Sequence, residues 1–235
     1  MTTFFITGID TGVGKTWATG MAARFLQQQG KKVITQKLVQ TGQDNALSED
    51  IVIHRRLMET APLPEDFPNS QPDMPDSSGG TLTCPYQFHY PASPHLAARL
   101  EGRTIEPEKI TQCTAMLQKR YDFVLLEGAG GFLVPLTPDM LTADYIGDRG
   151  YPIILVTSGR LGSINHTLLT IEAVFRRNLS LACLVFNLYP EQDETIASDT
   201  FQLFRKLCFN IVVLPRIDTD NIAKVDYHSL VNQFE

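Results

Sequence analysis

Residues 3–16 read TFFITGIDTGVGKT, and this run decides the fold. Thr3, Phe4, Phe5, Ile6 and Thr7 are β-branched or aromatic and predict a buried strand. Gly8, Gly12 and Gly14 then make a glycine-rich loop, and Lys15 and Thr16 open a helical run over 16–29. Strand, glycine loop, Gly-Lys-Thr and helix form a phosphate cradle. Backbone N–H groups and the helix N-terminus face the anion, the lysine adds a full positive charge, and the Thr16 hydroxyl is placed for Mg²⁺. The spacing departs from the common form, which has four residues before its Gly-Lys pair. Five separate Gly8 from Gly14, and Ile9 stands where the first glycine would fall.

The rest of the composition sets bounds. The chain has 235 residues, 43% hydrophobic and 20% charged, with a net charge of −6. That is an ordinary globular balance with no general attraction for nucleic acid or anionic membrane, so phosphate binding must be local. No apolar run reaches spanning length, and the first strand begins at once, without the pattern of a secretion signal. The expectation is one α/β domain over 1–235 in the cytoplasm. Cys84, Cys113, Cys183 and Cys208 lack CxxC spacing and nearby histidines in metal-ligand spacing. Buried thiols in a reducing compartment fit them.

Further strands are expected at 32–38, 121–127, 152–157, 181–186 and 210–214, each apolar and bounded by turn signals. Helices fit between them at 48–58, 106–119, 141–148, 163–177 and 191–207, with a short one from Pro94 to Leu100. Ser48 reads as an N-cap, with Glu49 and Asp50 in the first helical turn, and Pro107 suits a helix start. This alternation gives an α/β fold with a mainly parallel central sheet flanked by helices on both faces. Residues 62–85 carry six prolines and Ser77-Ser78-Gly79-Gly80, and are expected to be mobile or draped over the surface.

In such a sheet, ligands bind outside the carboxyl ends of the strands. Glu127 ends an apolar strand ahead of Gly128-Ala129-Gly130-Gly131, where a carboxylate can hold Mg²⁺ beside phosphates. Asp50 is either a second acid on that ion or a simple helix N-terminal acid. Lys37 is either a solvated edge-strand lysine or a clamp for developing phosphoryl charge. Asn187 offers either an amide pair to an adenine edge or a turn. Gly162-Ser163-Ile164-Asn165 opens a helix whose N–H groups could take a carboxylate, with capping by Ser163 as the plain alternative. His89, His95 and His166 read as packing or capping residues, and His54 as solvated on its helix face.

These stretches together resemble the dethiobiotin synthetase family: TGIDTGVGKT (7–16), QKLVQTG (36–42), Asp50, SPH (93–95), LEGAGG (126–131), LGSINH (161–166) and Asn187. The five-residue spacing is that family's own. The resemblance implies an ATP- and Mg²⁺-dependent ligase, in a P-loop fold, that joins CO₂ to 7,8-diaminopelargonic acid and closes the cyclic urea of dethiobiotin. It implies that Gly12, Val13, Gly14, Lys15, Thr16 and Trp17 hold the ATP phosphates, with Gly128, Ala129 and Gly130 nearby. Lys15 and Lys37 would neutralise charge during the reaction, while Thr16, Asp50 and Glu127 surround Mg²⁺. Thr11 and Thr41 would lie by the diamine or its carbamate. Asn187, Leu188, Pro215, Arg216 and Ile217 would hold adenine. Residues Gly162, Ser163, Ile164 and Asn165 would receive the substrate carboxylate across a homodimer interface. Leu38 departs from the family, which usually has proline there, and Thr41 often aligns with serine. A related amide ligase would usually carry an amidotransferase domain, for which there is no room. A dimeric switch ATPase would usually carry another lysine early in the loop, where residues 9–13 have none.

Overall fold

The computed structural model describes residues 2–44, 46–68, 80–189, 193–207 and 209–215. In chain order the elements are β1 (Thr2–Gly8), α1 (Lys15–Gln28), β2 (Val33–Lys37), β3 (Gln40–Thr41), α2 (Glu49–Leu57), β4 (Gln87–Phe88), α3 (Pro94–Leu100) and α4 (Pro107–Gln118). There follow β5 (Phe123–Gly131), β6 (Pro135–Thr137), β7 (Met140–Leu141), α5 (Thr142–Gly147), β8 (Ile153–Ser158), α6 (Ser163–Phe175), β9 (Leu181–Asn187), α7 (Glu194–Lys206) and β10 (Ile211–Leu214). The six expected strands pair in one parallel sheet, ordered β10-β9-β8-β1-β5-β2. Parallel strands need covered faces, and the central ones are accordingly largely apolar. Phe5, Leu125, Leu126, Leu155 and Val156 have no more than a trace of exposure.

Several boundaries follow from local chemistry. Ser48 caps α2 by accepting from Ile51 N–H at 3.4 Å, and Pro107 is the first residue of α4. The strand expected to end at Glu127 instead continues through the glycines, with Gly131 of β5 beside Gly8 of β1. The small pairs β3–β4 and β6–β7 were not expected, because two- and three-residue strands carry no periodicity.

The proline-rich stretch needs a correction. Its described flanks are anchored rather than draped: Thr81, Leu82, Thr83 and Cys84 are buried. The cause is the edge strand β2, whose open hydrogen-bonding side needs a cover. Lys37 N–H donates to the Thr83 carbonyl at 2.7 Å, and the Gln36 side chain to the Leu82 carbonyl at 2.9 Å. Leu82 packs in a satellite core with Ile34, Cys113, Leu117 and Val124. Arg55 forks onto Asp66 at 2.8 and 2.9 Å and holds the short 3₁₀ turn Pro64–Asp66 in place. Residues 69–79 lie outside the described residues.

Candidate active site

β1 delivers the phosphate loop at its carboxyl end. Gly14 is the residue before α1, with φ +96°, and no side chain caps the helix there. The first N–H groups of α1 therefore face the loop without competition from a cap. Glycine is required at 14 twice over. Its φ disfavours other residues, and a Cβ would lie 2.2 Å from Asn187 Nδ2. Lys15 is buried and folds back over the loop, donating to the Asp10 carbonyl at 2.9 Å. Asp10 also accepts from Thr11 N–H and pairs with Arg160 at 2.6 Å. A cavity of 430 Å³ opens beside Thr11, Gly12 and Val13, bounded by Arg160, Leu161 and Tyr189.

Lys37 and Glu127 are direct neighbours in the β2–β5 register, so the pleat aims both side chains to one face. Lys37 Nζ lies 2.8 Å from Glu127 Oε1 and 2.5 Å from Asp50 Oδ2. Thr16 Oγ1 sits 3.0 Å from Asp50 Oδ1 and 3.1 Å from Glu127 Oε1. One lysine, two carboxylates and one hydroxyl from four separate elements thus meet at the carboxyl end of the sheet. Lys37 and Glu127 are both buried, so Lys37 is no solvated edge lysine and Glu127 no exposed strand-end acid. Asp50 matches its plain reading as a helix N-terminal acid, and its carboxylate also contacts Thr16 and Lys37.

His54 is a second correction. It was expected on a solvated face, but it has no exposed surface and its Nε2 lies 2.8 Å from Glu127 Oε2. It stands one turn after Asp50, and residues four apart share a helix face. That Asp50/His54 spacing was the available signal. The face is turned inward because α2 packs tightly on α1 at Gly20, where a Cβ would meet Leu57 Cδ1 at 2.6 Å and His54 Cα at 3.3 Å.

The charges are strongly coupled. Burial alone would raise the Glu127 pKa, but the Lys37 charge and the His54 hydrogen bond outweigh it and hold the carboxyl well below the usual range. Burial alone would lower the Lys37 pKa, but Glu127 and Asp50 together lift it above its ordinary value. Lys15 lacks such close acids. Burial, then the like charge of Lys37, bring it down to about 8. The site holds one firmly charged lysine and one charged less firmly, whose charge a nearby anion would favour.

At the other strand ends, α6 begins after Gly162, whose φ is +91°, again with no side-chain cap. Ser163 does not cap it: its hydroxyl is buried against Ser158 Oγ at 3.1 Å. Asn165 is exposed and Ile164 half-buried. Ser158 and Asn187 are register neighbours of β8 and β9. The Asn187 amide reaches the phosphate loop, donating to the Val13 carbonyl at 2.9 Å and accepting from Tyr189 N–H at 3.0 Å. An apolar cavity of 440 Å³ lies beside it, between Phe186, Leu188, Phe201 and Val213. Thr41 is half-buried in β3, Trp17 packs against the core from α1, and Gly128, Ala129 and Gly130 follow Glu127 in β5. Pro215 is the last described residue, and Arg216 and Ile217 lie outside the described residues. His89 faces solvent and pairs with Asp44, while His95 contacts Ser93 at the start of α3.

A family model described as an AAA domain matches residues 2–224. ATP-dependent dethiobiotin synthetase BioD 2 of Pasteurella multocida is 50% identical over 203 residues, covering 86% of this chain and 89% of that protein. ATP-dependent dethiobiotin synthetase BioD of Chlorobaculum tepidum is 51% identical over 195 residues, covering 83% of this chain and 76% of that protein. Among solved structures, a plasmid partition protein of Borrelia burgdorferi bound to AMPPNP is similar with a TM-score of 0.54. It is 14% identical, covers 96% of this chain and 90% of that one, and speaks to the fold alone. Half of the residues are shared with two relatives of one name over more than four fifths of this chain, and the stretches that meet around Lys15, Lys37 and Glu127 are those that carried the resemblance. The chain belongs to the dethiobiotin synthetase family.

Proposed function

We propose that this enzyme joins CO₂ to 7,8-diaminopelargonic acid and uses ATP to close the ring of dethiobiotin, a step of biotin synthesis. The observation that carries this is the meeting of Lys37 with Thr16, Asp50 and Glu127 at the end of one sheet, with the buried Lys15 within electrostatic reach of Lys37 and both acids. One amine of the substrate adds to CO₂ and loses a proton, giving a carbamate. A carbamate oxygen takes the γ-phosphoryl group of ATP, and the second amine attacks the activated carbon and expels phosphate. Every step moves negative charge near the lysines. Lys37 bears on the carbamate and the γ-phosphoryl group, Lys15 on the phosphates, and Thr11 and Thr41 lie by the diamine. Positioning and neutralisation of charge supply most of the catalysis of phosphoryl transfer, so no side chain need act as a base.

Mg²⁺ fits the donors present. Two carboxylates and a hydroxyl are hard oxygen ligands, and the ion would take its other ligands from phosphate and water and spread charge off the γ-phosphate. Adenine is assigned to Asn187, Leu188 and Pro215, next to the apolar cavity, together with Arg216 and Ile217. Among the described residues no helix is long and apolar enough to cross a membrane, and we place the enzyme in the cytoplasm.

The active form is read as a homodimer with shared sites. Leu161, Leu168, Leu169 and Phe175 lie exposed along and beside α6, an apolar stripe that runs into the 162–165 segment. In an isologous dimer that segment would meet the carboxylate of a substrate held at the partner's lysines. Mixing a Lys15→Ala with an Asn165→Ala variant should then restore about a quarter of wild-type sites, by random pairing in a symmetric dimer. Mixed dimers with no regained activity would refute shared sites. The reaction itself is tested by ADP release, which should need diamine, bicarbonate and a divalent cation together. Fast ATP turnover without diamine would contradict it.

A further inference from the structure

Glu127 has both carboxylate oxygens assigned. Oε1 accepts from Thr16 Oγ1 and from Lys37 Nζ, on the side where the phosphates and the cation belong. Oε2 faces away from them and meets His54 Nε2 at 2.8 Å, with no exposed surface on either side chain. An ionised carboxylate can only accept, so Nε2 is the nitrogen that bears the hydrogen. His54 Nδ1 is buried and, among the described residues, has no partner. A ring with one orphaned nitrogen is a poor core filler, since an aliphatic side chain would fill that space without leaving a polar atom unmet. What the imidazole adds over an aliphatic residue is the single bond to Glu127.

The placement of α2 supports the same reading. Asp50 and His54 lie one turn apart on its inward face, so one rigid helix presents the second acid and the ring together. Gly20 permits that approach, because any side chain there would collide with Leu57 and press on the His54 backbone. We infer that His54 is a positioning residue. Its Nε2–H pins Oε2 of Glu127 and stops the carboxylate from rotating, so that Oε1 is presented to Thr16, Lys37 and the bound divalent cation. This rests on the reading of Glu127 as a cation ligand. Histidine in this role is the reverse of the familiar arrangement in which a carboxylate orients a metal-bound histidine, but the physics of the outer partner is the same.

The test uses the whole protein saturated with ADP, titrated with Mn²⁺ and followed by electron paramagnetic resonance, beside steady-state kinetics. His54→Leu removes the donor and keeps the packing. It should weaken Mn²⁺ binding and lower kcat by roughly 10-fold or more, the usual reach of an outer-sphere partner. KM for the diamine should hold, while the melting temperature should fall, because Glu127 Oε2 is left buried without its donor. His54→Gln can again offer an N–H at that reach and should recover both Mn²⁺ affinity and kcat to within about 3-fold of wild type. A purely structural role would leave glutamine as poor as leucine in Mn²⁺ affinity and kcat even where it recovers the melting temperature, and that result overturns the inference. Wild-type Mn²⁺ affinity in the leucine variant overturns it too. If His54→Leu does not fold, His54→Met carries the same comparison. Wild-type protein that binds no Mn²⁺ beyond free ADP would sink the cation reading of Glu127 itself, and the role of His54 with it.

Discussion

Replacing Gly20 by alanine tests whether the close contact of α1 with α2 sets the geometry of the site. The new Cβ would lie 2.6 Å from Leu57 Cδ1, 2.9 Å from Leu57 Cβ and 3.3 Å from His54 Cα, where ordinary contacts begin at 3.4 Å. The Leu57 methyl can swing away, but its Cβ and the His54 backbone move only with the helix. Relief therefore displaces α2 by about 0.5 Å, since packed interiors yield little. Such a shift would stretch the 3.0 Å Thr16–Asp50 and 2.8 Å His54–Glu127 contacts beyond good hydrogen-bond length. If a misplacement of 1 Å costs about 10²-fold, half of that costs roughly 10-fold in kcat. Stability has two opposed terms. Alanine improves a helix interior by about 1 kcal/mol over glycine, and overpacking costs about 1–3 kcal/mol. The expected net is a loss of about 0–2 kcal/mol, seen as a melting temperature lowered by up to roughly 8 °C for a chain of this size. Scanning calorimetry and steady-state turnover measure the two effects on one sample. A variant that melts higher than wild type and keeps full kcat would refute the claim that this contact places Asp50 and His54.

Lys37→Gln should lower kcat by about 10²–10³ and ATP affinity only a few-fold, because the charge acts mainly where phosphoryl charge develops. It also leaves Glu127 buried without its cation, so urea denaturation should register a loss of about 3 kcal/mol, and unchanged turnover would make Lys37 structural. The buried thiols Cys84 and Cys183 are each raised by burial to about 12, from 9.0. A raised folded-state pKa gives stability that is whole below pH 9 and drains away as the pH climbs towards 12, because only the unfolded chain ionises there. Between pH 9 and 10, in reductant, wild type should lose about 2 kcal/mol more than a Cys84→Ala/Cys183→Ala variant, and parallel curves in chemical denaturation would show that the thiols ionise alike in both states.

The sheet was legible because its six strands are mostly apolar runs separated by helical stretches with clear start signals, such as Ser48 and Pro107. The phosphate loop was legible because its function rests on a local string of residues. From the residues alone the cluster around Glu127 was legible only as separate candidates, and it was the family resemblance that put Thr16, Asp50 and Glu127 together. Nothing in the string says that Lys37 and Glu127 are register neighbours, since residues 38–126 lie between them. The inward face of α2 was hidden for a related reason. A histidine and two arginines at 54–56 look like a wet helix end, yet His54 is satisfied by an acid 73 residues away and Arg55 by Asp66. Long-range pairing of buried polar groups leaves no periodic trace. The described flanks of the stretch 62–85 misled because proline and glycine report backbone constraint, not exposure, and the edge of β2 demanded a cover.

The most direct test is to follow the carbon. Purified enzyme is supplied with 7,8-diaminopelargonic acid, ATP, Mg²⁺ and isotopically labelled bicarbonate, and the product is read by mass spectrometry and carbon NMR. The expected product is dethiobiotin with the label in the carbonyl of its cyclic urea and one phosphate released per ring closed. ADP formed without a labelled ring, or transfer of phosphate to the diamine without uptake of carbon, would contradict the assignment of Lys15, Lys37 and the Glu127 cluster to this reaction.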